Sequence, residues 1–261
     1  MEAMRRPSLE SEYQHAIVLI SDGDGKRNGA VLFCRRMESG RDVIMDAGGR
    51  KPGGRPTREQ AAAIDARILD GARAVFCRKG VFNSGLEEIA AELGVSKHTL
   101  YRRYPNKAAL LEAVVGRDVG RFREALLSAA GEGGAGALGA LRRAAFRYVE
   151  IGSSRDYAAF YLSVSAEAAV SPALRERLAS WSQDALEPLV GFVAVAQGAG
   201  ELRPGDPASV CGILIDLLEG VNNRIRLGDD GLGDDGMAGR PSLLQLFEER
   251  WAVFTTAFGN S

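Results

Sequence analysis

Residues 84–107 constrain the fold of this chain more than any other segment, because they have the pattern of two short helices joined by a tight turn. Ser84 and Glu87 have the spacing of a capping box, in which a hydroxyl and a carboxylate satisfy free backbone amides at a helix start. The apolar face that follows consists of Leu86, Ile89, Ala90 and Leu93. This spacing of three and four residues predicts a first short helix.

A turn and a second short helix follow directly. Gly94 permits the positive φ that a tight turn needs, and Ser96 is a good N-cap for a helix over 97–103, which Pro105 ends. An earlier helix with an apolar face is predicted from Thr57 to Gly80. Three helices in this order form a helix-turn-helix unit, which places its last helix in the major groove of DNA.

This segment resembles the DNA-binding domain of the TetR family of bacterial transcription regulators. The residues that carry the resemblance are Ile89-Ala90, Gly94-Val95-Ser96, Thr99-Leu100-Tyr101, Tyr104-Pro105 and Lys107. The resemblance covers about Thr57 to Val115 and implies an all-α protein, with an N-terminal three-helix helix-turn-helix domain and a C-terminal helical ligand-binding and dimerisation domain. It also implies a repressor of transcription that a small-molecule effector releases from operator DNA.

The resemblance assigns DNA contacts to matching positions only. Base edges are expected to be read from the start of the third helix, by Lys97, His98, Thr99 and Arg102. Lysine and arginine can donate to guanine, and a threonine methyl can touch a thymine methyl. Phosphate contacts are expected from Ser84, Tyr101 and Lys107. Gly85 departs from the hydroxyl residue that the family usually has near the start of the second helix, so Ser84 is expected to make that contact alone.

Charge is unevenly distributed along the chain. Residues 50–107 contain 12 Lys and Arg and 6 Asp and Glu, whereas the whole chain has a net charge of −1. A basic arm of Gly, Pro and Arg precedes the predicted helices, and its Arg55 and Arg58 are candidate DNA contacts. Such an arm can enter a minor groove, where narrow A·T tracts concentrate negative potential, or it can be only a linker.

The chain is predicted to have three parts. Residues 1–56 contain two strand-like stretches, 13–20 and 30–34, among Gly, Asp and Arg clusters, and this extension is expected to be poorly ordered. Residues 57–115 are predicted to form the DNA-binding domain, and residues 116–261 the helical domain. Apolar periodicity in the last part predicts helices near 137–152, 155–168, 172–198, 207–227 and 242–258.

A homodimer is expected, because operator specificity normally needs two recognition helices about 34–36 Å apart. The last two predicted helices are apolar enough to form a four-helix bundle between protomers, although the same residues could be only core. Their apolar residues are Ile213, Leu214, Leu217, Leu218 and Val221, and then Leu243, Leu244, Leu246, Phe247, Trp251 and Phe254. An aromatic patch could line an effector pocket or be plain core, and its candidate ligand contacts are Phe146, Tyr157, Phe160, Tyr161 and Trp181.

Several other classes of protein are not expected. No apolar run approaches the ~20 residues of a membrane-spanning helix, and the N-terminus lacks a signal-peptide pattern, so a cytoplasmic protein without membrane contact is expected. The two histidines and three cysteines have no metal-site spacing, so neither a metal nor a cofactor is expected. The GxSxG, HExxH and P-loop patterns are absent, so the chain is not expected to be an enzyme.

Two alternatives to a ligand-released repressor stay open. In the first, the chain is a redox-responsive DNA-binding regulator, and Cys77 or Cys211 is the sensor in place of a bound ligand. In the second, the chain is a helical protein-interaction module whose basic helices bind an acidic partner. The second alternative predicts no sequence-specific protection of DNA.

Overall fold

The computed structural model describes residues 15–21, 27–34, 58–134, 136–226 and 241–260. The chain divides into two units, residues 1–55 and residues 56–261. In the first unit, strand β1 (His15–Ser21) pairs antiparallel with strand β2 (Arg27–Cys34), and the register places Ile17 opposite Leu32. The strand-like stretches predicted here are therefore strands. The expected poor order of the remaining extension, and the predicted contact by Arg55, lie outside the described residues.

Within the described part of the second unit, every regular element is an α-helix, so the predicted all-α fold is confirmed there. The predicted ends of the five C-terminal helices agree with the structure to within two residues. The nine helices described are α1 (Arg58–Lys79), α2 (Leu86–Glu92), α3 (Lys97–Arg103), α4 (Lys107–Gly131), α5 (Ala137–Ser153), α6 (Arg155–Val170), α7 (Pro172–Gly198), α8 (Pro207–Arg226) and α9 (Leu243–Phe258).

Side-chain caps and glycine turns explain why the helices begin and end where they do. The Ser96 hydroxyl accepts a hydrogen bond from the Thr99 amide at 3.1 Å, and Asn106 Oδ1 accepts one from the Ala109 amide at 2.8 Å. Both caps satisfy amides that a helix N-terminus leaves free. Gly94, with φ +62°, makes the tight turn between α2 and α3.

The capping box predicted at the start of α2 is wrong. The residue that caps α2 is Gly85, which has no side chain to offer an amide. The Ser84 hydroxyl instead donates to the Gly80 carbonyl at 2.6 Å, because the loop folds back over the end of α1. The serine therefore stabilises the end of the preceding helix rather than the start of the next one.

Two hydrophobic clusters form the core of the second unit. The larger cluster consists of α4, α5, α7, α8 and α9, and its fully buried members include Leu141, Leu214 and Phe254. The smaller cluster joins α1–α4 to Phe160 of α6 and Trp181 of α7. The predicted domain boundary at 115/116 falls inside α4, so the helix-turn-helix unit and the C-terminal helices share one continuous helix and one of the two core clusters.

None of the helices in the described segments is long and apolar enough to cross a membrane.

Candidate nucleic-acid interface and effector cavity

Helix α3 is held in place by one face and presents the other to solvent. Leu100 is fully buried in the core of the helix-turn-helix unit, and Arg103 forms an ion pair with Asp65 of α1. On the other face, the side chains of the predicted base contacts Lys97, His98 and Arg102 are exposed. A rigidly anchored helix with three exposed basic residues is suited to reading base edges.

Lys97 has a partner that DNA can replace. Its Nζ lies 2.7 Å from Glu87 Oε2, and the two side chains are 62% and 63% exposed. An ion pair this exposed contributes at most about 1 kcal/mol to stability. Exchange of the carboxylate for a guanine acceptor therefore costs little.

The predicted contacts Thr99, Tyr101 and Arg58 differ in how far their side chains are exposed. Thr99 is half-buried and its hydroxyl lies 2.8 Å from the Ser96 hydroxyl at the cap of α3, which leaves its methyl group as the part available to a thymine. Tyr101 is exposed on α3, and Arg58 is exposed at the start of α1. Each of these contacts stays a prediction.

The phosphate contact expected from Ser84 is contradicted by its surroundings. Its side chain is only 4% exposed, and its hydroxyl proton is used by the Gly80 carbonyl. The hydroxyl is therefore part of the α1–α2 corner and is not presented to a ligand in solvent.

Lys107 lies at the start of α4 and has a structural role that the sequence did not reveal. Its Nζ donates to the carbonyls of Val81 at 2.8 Å and Phe82 at 2.9 Å, and it lies 5.9 Å from the centroid of the Phe82 ring. The lysine thus ties α4 to the α1–α2 loop with two of its three ammonium hydrogens. The Phe82 ring is 75% exposed beside this charge.

A cavity of about 80 Å³ lies between α4, α6 and α7 and is open to solvent on one side. One buried water needs only about 10–15 Å³ by the same measure, so the cavity has room for part of an organic molecule. Four of the five predicted ligand contacts line it, namely Tyr157, Phe160, Tyr161 and Trp181. Further lining residues that sequence analysis missed include Asp118, Phe122 and Ser182.

The fifth predicted ligand contact, Phe146, does not line this cavity but a separate surface pocket beside α4 and α5, and its role stays a prediction. Its ring packs edge-on against Phe247 of α9, with the centroids 5.1 Å apart. Phe146 lies on α5 and is packed against the larger core cluster, whereas the cavity is lined by α4, α6 and α7. An aromatic residue at helical spacing gives no indication of which neighbouring helix it will face.

The aromatic rings of the cavity continue as a stack toward α8. The Tyr157 ring is stacked 6.2 Å from Phe122 and 6.1 Å from Tyr161, and the guanidinium of Arg226 lies 4.8 Å from the Tyr161 centroid. Burial raises the pKa of Tyr157 to about 12. As in any tyrosine, the phenol O–H is a hydrogen-bond donor at neutral pH.

Asp118 connects the cavity to the DNA-binding unit. Its Oδ2 lies 2.6 Å from Nε of Arg73 on α1, and its Oδ1 lies 2.9 Å from Arg117. The Arg73 guanidinium also lies 2.5 Å from Asp156 and 5.0 Å from the centroid of the Phe160 ring. One arginine of the helix-turn-helix unit thus contacts two residues of the cavity wall, Asp118 and Phe160.

The two candidate redox sensors differ in exposure, since Cys77 is half-buried and Cys211 is buried. Burial raises the pKa of the Cys77 thiol above its usual range, although Arg73 opposes the shift, and it raises the pKa of Cys211 to about 11. Reactive thiols are partly exposed and have lowered pKa values. The segments that the structure describes also contain no group of three His, Cys, Asp or Glu residues able to hold a metal ion.

Helices α8 and α9 are partly core and partly surface. Leu214, Leu218, Phe247 and Phe254 are buried within the protomer, so they are core and cannot form a contact between protomers. Ile213 and Leu244 are about half exposed, as is Val253 of α9. Among the described large apolar residues of α8 and α9, these three are the most exposed.

Comparison with known proteins places these features in a family. The family model described as "Bacterial regulatory proteins, tetR family" matches residues 68–114, which contain most of the helix-turn-helix unit. The transcriptional repressor BepR of Brucella suis biovar 1 (strain 1330) is 26% identical over 183 residues, which cover 68% of this chain and 87% of BepR.

The solved structures agree on the fold. A TetR-family regulator from Mesorhizobium loti MAFF303099 superposes with a TM-score of 0.61 at 22% identity, over 77% of this chain and 99% of that one. The SmeT–triclosan complex superposes with a TM-score of 0.59 at 22% identity, over 76% of this chain and 93% of SmeT. The match of residues 68–114 to the family model, the similarity to BepR and the shared fold of the solved structures support a TetR-family transcriptional regulator.

Proposed function

We propose that this chain is a homodimeric repressor that binds operator DNA through α3 and leaves it when a small molecule enters the cavity. The observation that carries the proposal is the contact of Arg73, on α1, with Asp118 and Phe160 of the cavity wall. Two relatives support it. BepR is a transcriptional repressor, and SmeT forms a complex with triclosan. A protein with this role acts in the cytoplasm and needs no catalytic activity.

The proposed base contacts are Lys97, His98 and Arg102, which are exposed together on one anchored helix. Thr99 is proposed to add a methyl contact to thymine, and Tyr101, Lys107 and Arg58 are proposed to bind phosphates. Free amides at the start of α4, beside Lys107, also favour a phosphate there.

A homodimer would form through the outer faces of α8 and α9. Ile213, Leu244 and Val253 are exposed there on helices whose opposite faces are buried in the protomer. A two-fold axis through these faces would give two copies of α3 a fixed separation, which operator half-sites about 34–36 Å apart require.

Release would follow from competition between two conformations. A ligand that displaces Phe160 or Asp118 changes the two groups that hold Arg73, and therefore the position of α1. Such a ligand lowers DNA affinity only if it binds more tightly to the conformation in which the two recognition helices are misplaced.

Selection of DNA from a random-sequence pool, followed by footprinting of the enriched sequence, tests the DNA-binding part of the proposal. We expect a palindromic site with two protected half-sites and an affinity that falls steeply with salt. If no sequence is enriched, or if the protected site lacks two-fold symmetry, the proposed homodimeric repressor is contradicted.

A further inference from the structure

The charged groups around the effector cavity form ion pairs with other groups of the protein, and these ion pairs limit the ligands that the cavity can bind. Apart from Asp118, every residue that lines the cavity is apolar, aromatic or a hydroxyl residue. The charge of Asp118 is already balanced, because Arg73 lies 2.6 Å and Arg117 2.9 Å from its carboxylate oxygens.

The charged groups beyond Tyr161 are matched in the same way. Arg226 lies over the Tyr161 ring, its side chain is only 4% exposed, and its NH1 is 3.0 Å from Glu219 Oε2. Glu219 also accepts a hydrogen bond from Tyr148 at 2.7 Å. Among the residues that the structure describes, the ring system is therefore flanked by two ion pairs, Arg73–Asp118 and Arg226–Glu219.

A charged ligand would have to disturb one of these pairs. A cation at Asp118 competes with Arg73, which also holds Asp156, and an anion meets the Asp118 carboxylate. Burial of a charge without a matched partner is costly, whereas an uncharged ring gains the contact area of the aromatic wall. We propose that the cavity binds uncharged aromatic molecules that carry a hydrogen-bond acceptor, and that it discriminates against aromatic cations and anions of the same shape.

The hydrogen-bond acceptor of the ligand would bind to a tyrosine of the cavity wall. Tyr157 and Tyr161 both line the cavity, and each carries a phenol O–H donor. A carbonyl or ether oxygen on the ligand can accept a hydrogen bond from a phenol without disturbing either ion pair. This inference deepens the proposed function and rests on the same cavity being the effector site.

Calorimetric titration of the intact protein with three naphthalene probes tests the proposal. The probes are 2-acetylnaphthalene, which is uncharged, 2-naphthoate, an anion, and 2-naphthylmethylammonium, a cation. We expect the ketone to bind at least about tenfold more tightly than either ion, since each ion must give up or break a charge-assisted hydrogen bond. Equal or tighter binding of an ion, or no binding of the ketone, would overturn the proposal.

Two variants with opposite effects on charge test the cause of the selectivity. Arg73→Gln leaves Asp118 with one cation fewer and should improve binding of the ammonium probe about tenfold relative to the ketone. Asp118→Asn leaves Arg73 and Arg117 without their shared carboxylate and should favour naphthoate instead. If one variant fails to fold, the other still decides, and unchanged selectivity in a folded variant refutes the charge argument.

Ser182→Trp locates the binding site. Ser182 is exposed and lines the cavity, so an indole there narrows the space without disturbing the core. The ketone should bind this variant more weakly, and unchanged affinity would place its site elsewhere and overturn the proposal. If the ketone binds as expected but leaves operator affinity unchanged, the proposed ligand class is supported, and the proposal that a ligand releases the protein from DNA is contradicted.

Discussion

The guanidinium of Arg73 lies 2.6 Å from the carboxylate of Asp118, and this contact joins the first helix of the DNA-binding unit to the wall of the effector cavity. The two side chains are 16% and 20% exposed, so solvent screens the pair only in part. The same guanidinium lies over Phe160, a second residue of the cavity wall. A displacement of Asp118 or Phe160 in the cavity wall would therefore also change the contacts of Arg73 on α1.

Arg73→Gln should cost stability and weaken communication between the cavity and DNA. The loss of charge-assisted hydrogen bonds to Asp118 and Asp156 should lower the free energy of unfolding by about 1.5–3 kcal/mol. Arg121→Gln is the matched control, because Arg121 is exposed and its 3.4 Å pair with Asp70 should contribute at most about 1 kcal/mol. Chemical denaturation measures both effects, and equal losses in the two variants would contradict the role assigned to Arg73.

Gly152→Ala should destabilise the packing of α5 against α8. A methyl group at position 152 would overlap the amide of Asn222, which is fully buried and donates to Glu219 at 2.7 Å. Overpacking of this kind typically costs about 1–3 kcal/mol, which thermal unfolding can measure.

Gly191→Ala is the control for this substitution. Gly191 lies inside α7, and apart from its chain neighbours and the backbone of its own helix no atom lies within 4 Å of the position of an added Cβ. Alanine should therefore stabilise the helix there by about 0.5–1 kcal/mol. If both variants lose stability equally, the close approach of Gly152 to Asn222 is not the cause.

Raised thiol pKa values predict resistance to oxidation at neutral pH. The pKa of Cys211 is about 11 rather than 9.0, so its thiolate is scarce in the folded protein. DNA affinity should therefore be unchanged after mild peroxide treatment, and mass spectrometry should find Cys77 and Cys211 reduced. Oxidation of either thiol together with a loss of DNA affinity would support the redox-responsive alternative.

The same shift predicts how stability changes in alkali. Above pH 9 the unfolded chain releases the Cys211 proton while the folded chain keeps it, so the unfolded state binds fewer protons and stability falls as pH rises. The decline from this group should end near pH 11. A Cys211→Ala variant should lose this part of the pH dependence in denaturation measured between pH 8 and 11.

Ile213→Glu should convert a dimer into monomers. Ile213 is exposed on α8 within the proposed interface, so a carboxylate there would be buried against a second copy of the chain. Leu127→Glu on α4 is the control, because Leu127 is similarly exposed outside α8 and α9. Sedimentation should find the native protein and the control dimeric, and a dimeric Ile213→Glu variant would place the interface elsewhere.

Helix boundaries could be predicted from the sequence because the signals that set them are local. Ser96, Asn106 and Ser171 cap the helices that follow them, each by accepting a bond from an amide three residues later. Ser84 does not follow this rule. Its hydroxyl could accept a hydrogen bond from an amide at the start of α2 or donate one to a carbonyl at the end of α1, and the fold of the loop places it against the Gly80 carbonyl.

The candidate site was only partly predictable. The exposed positions of α3 follow from periodicity and the family resemblance, and Leu100 marks the buried face. The contact between Arg73 and Asp118 joins residues 45 apart in sequence, and that between Arg73 and Asp156 joins residues 83 apart. No periodic pattern encodes such pairs, because they depend on how α1, α4 and α6 pack.

The difference between Lys97→Ala and Lys79→Ala in binding to the selected operator shows whether α3 reads DNA sequence. Each lysine forms an exposed ion pair with a glutamate of α2, Lys97 with Glu87 and Lys79 with Glu88, and each substitution removes one positive charge. Only Lys97 lies on α3. Lys97→Ala should lose about 1–3 kcal/mol of discrimination between operator and random DNA, and Lys79→Ala should keep the native preference. Equal discrimination by both variants would exclude α3 as the helix that reads the sequence.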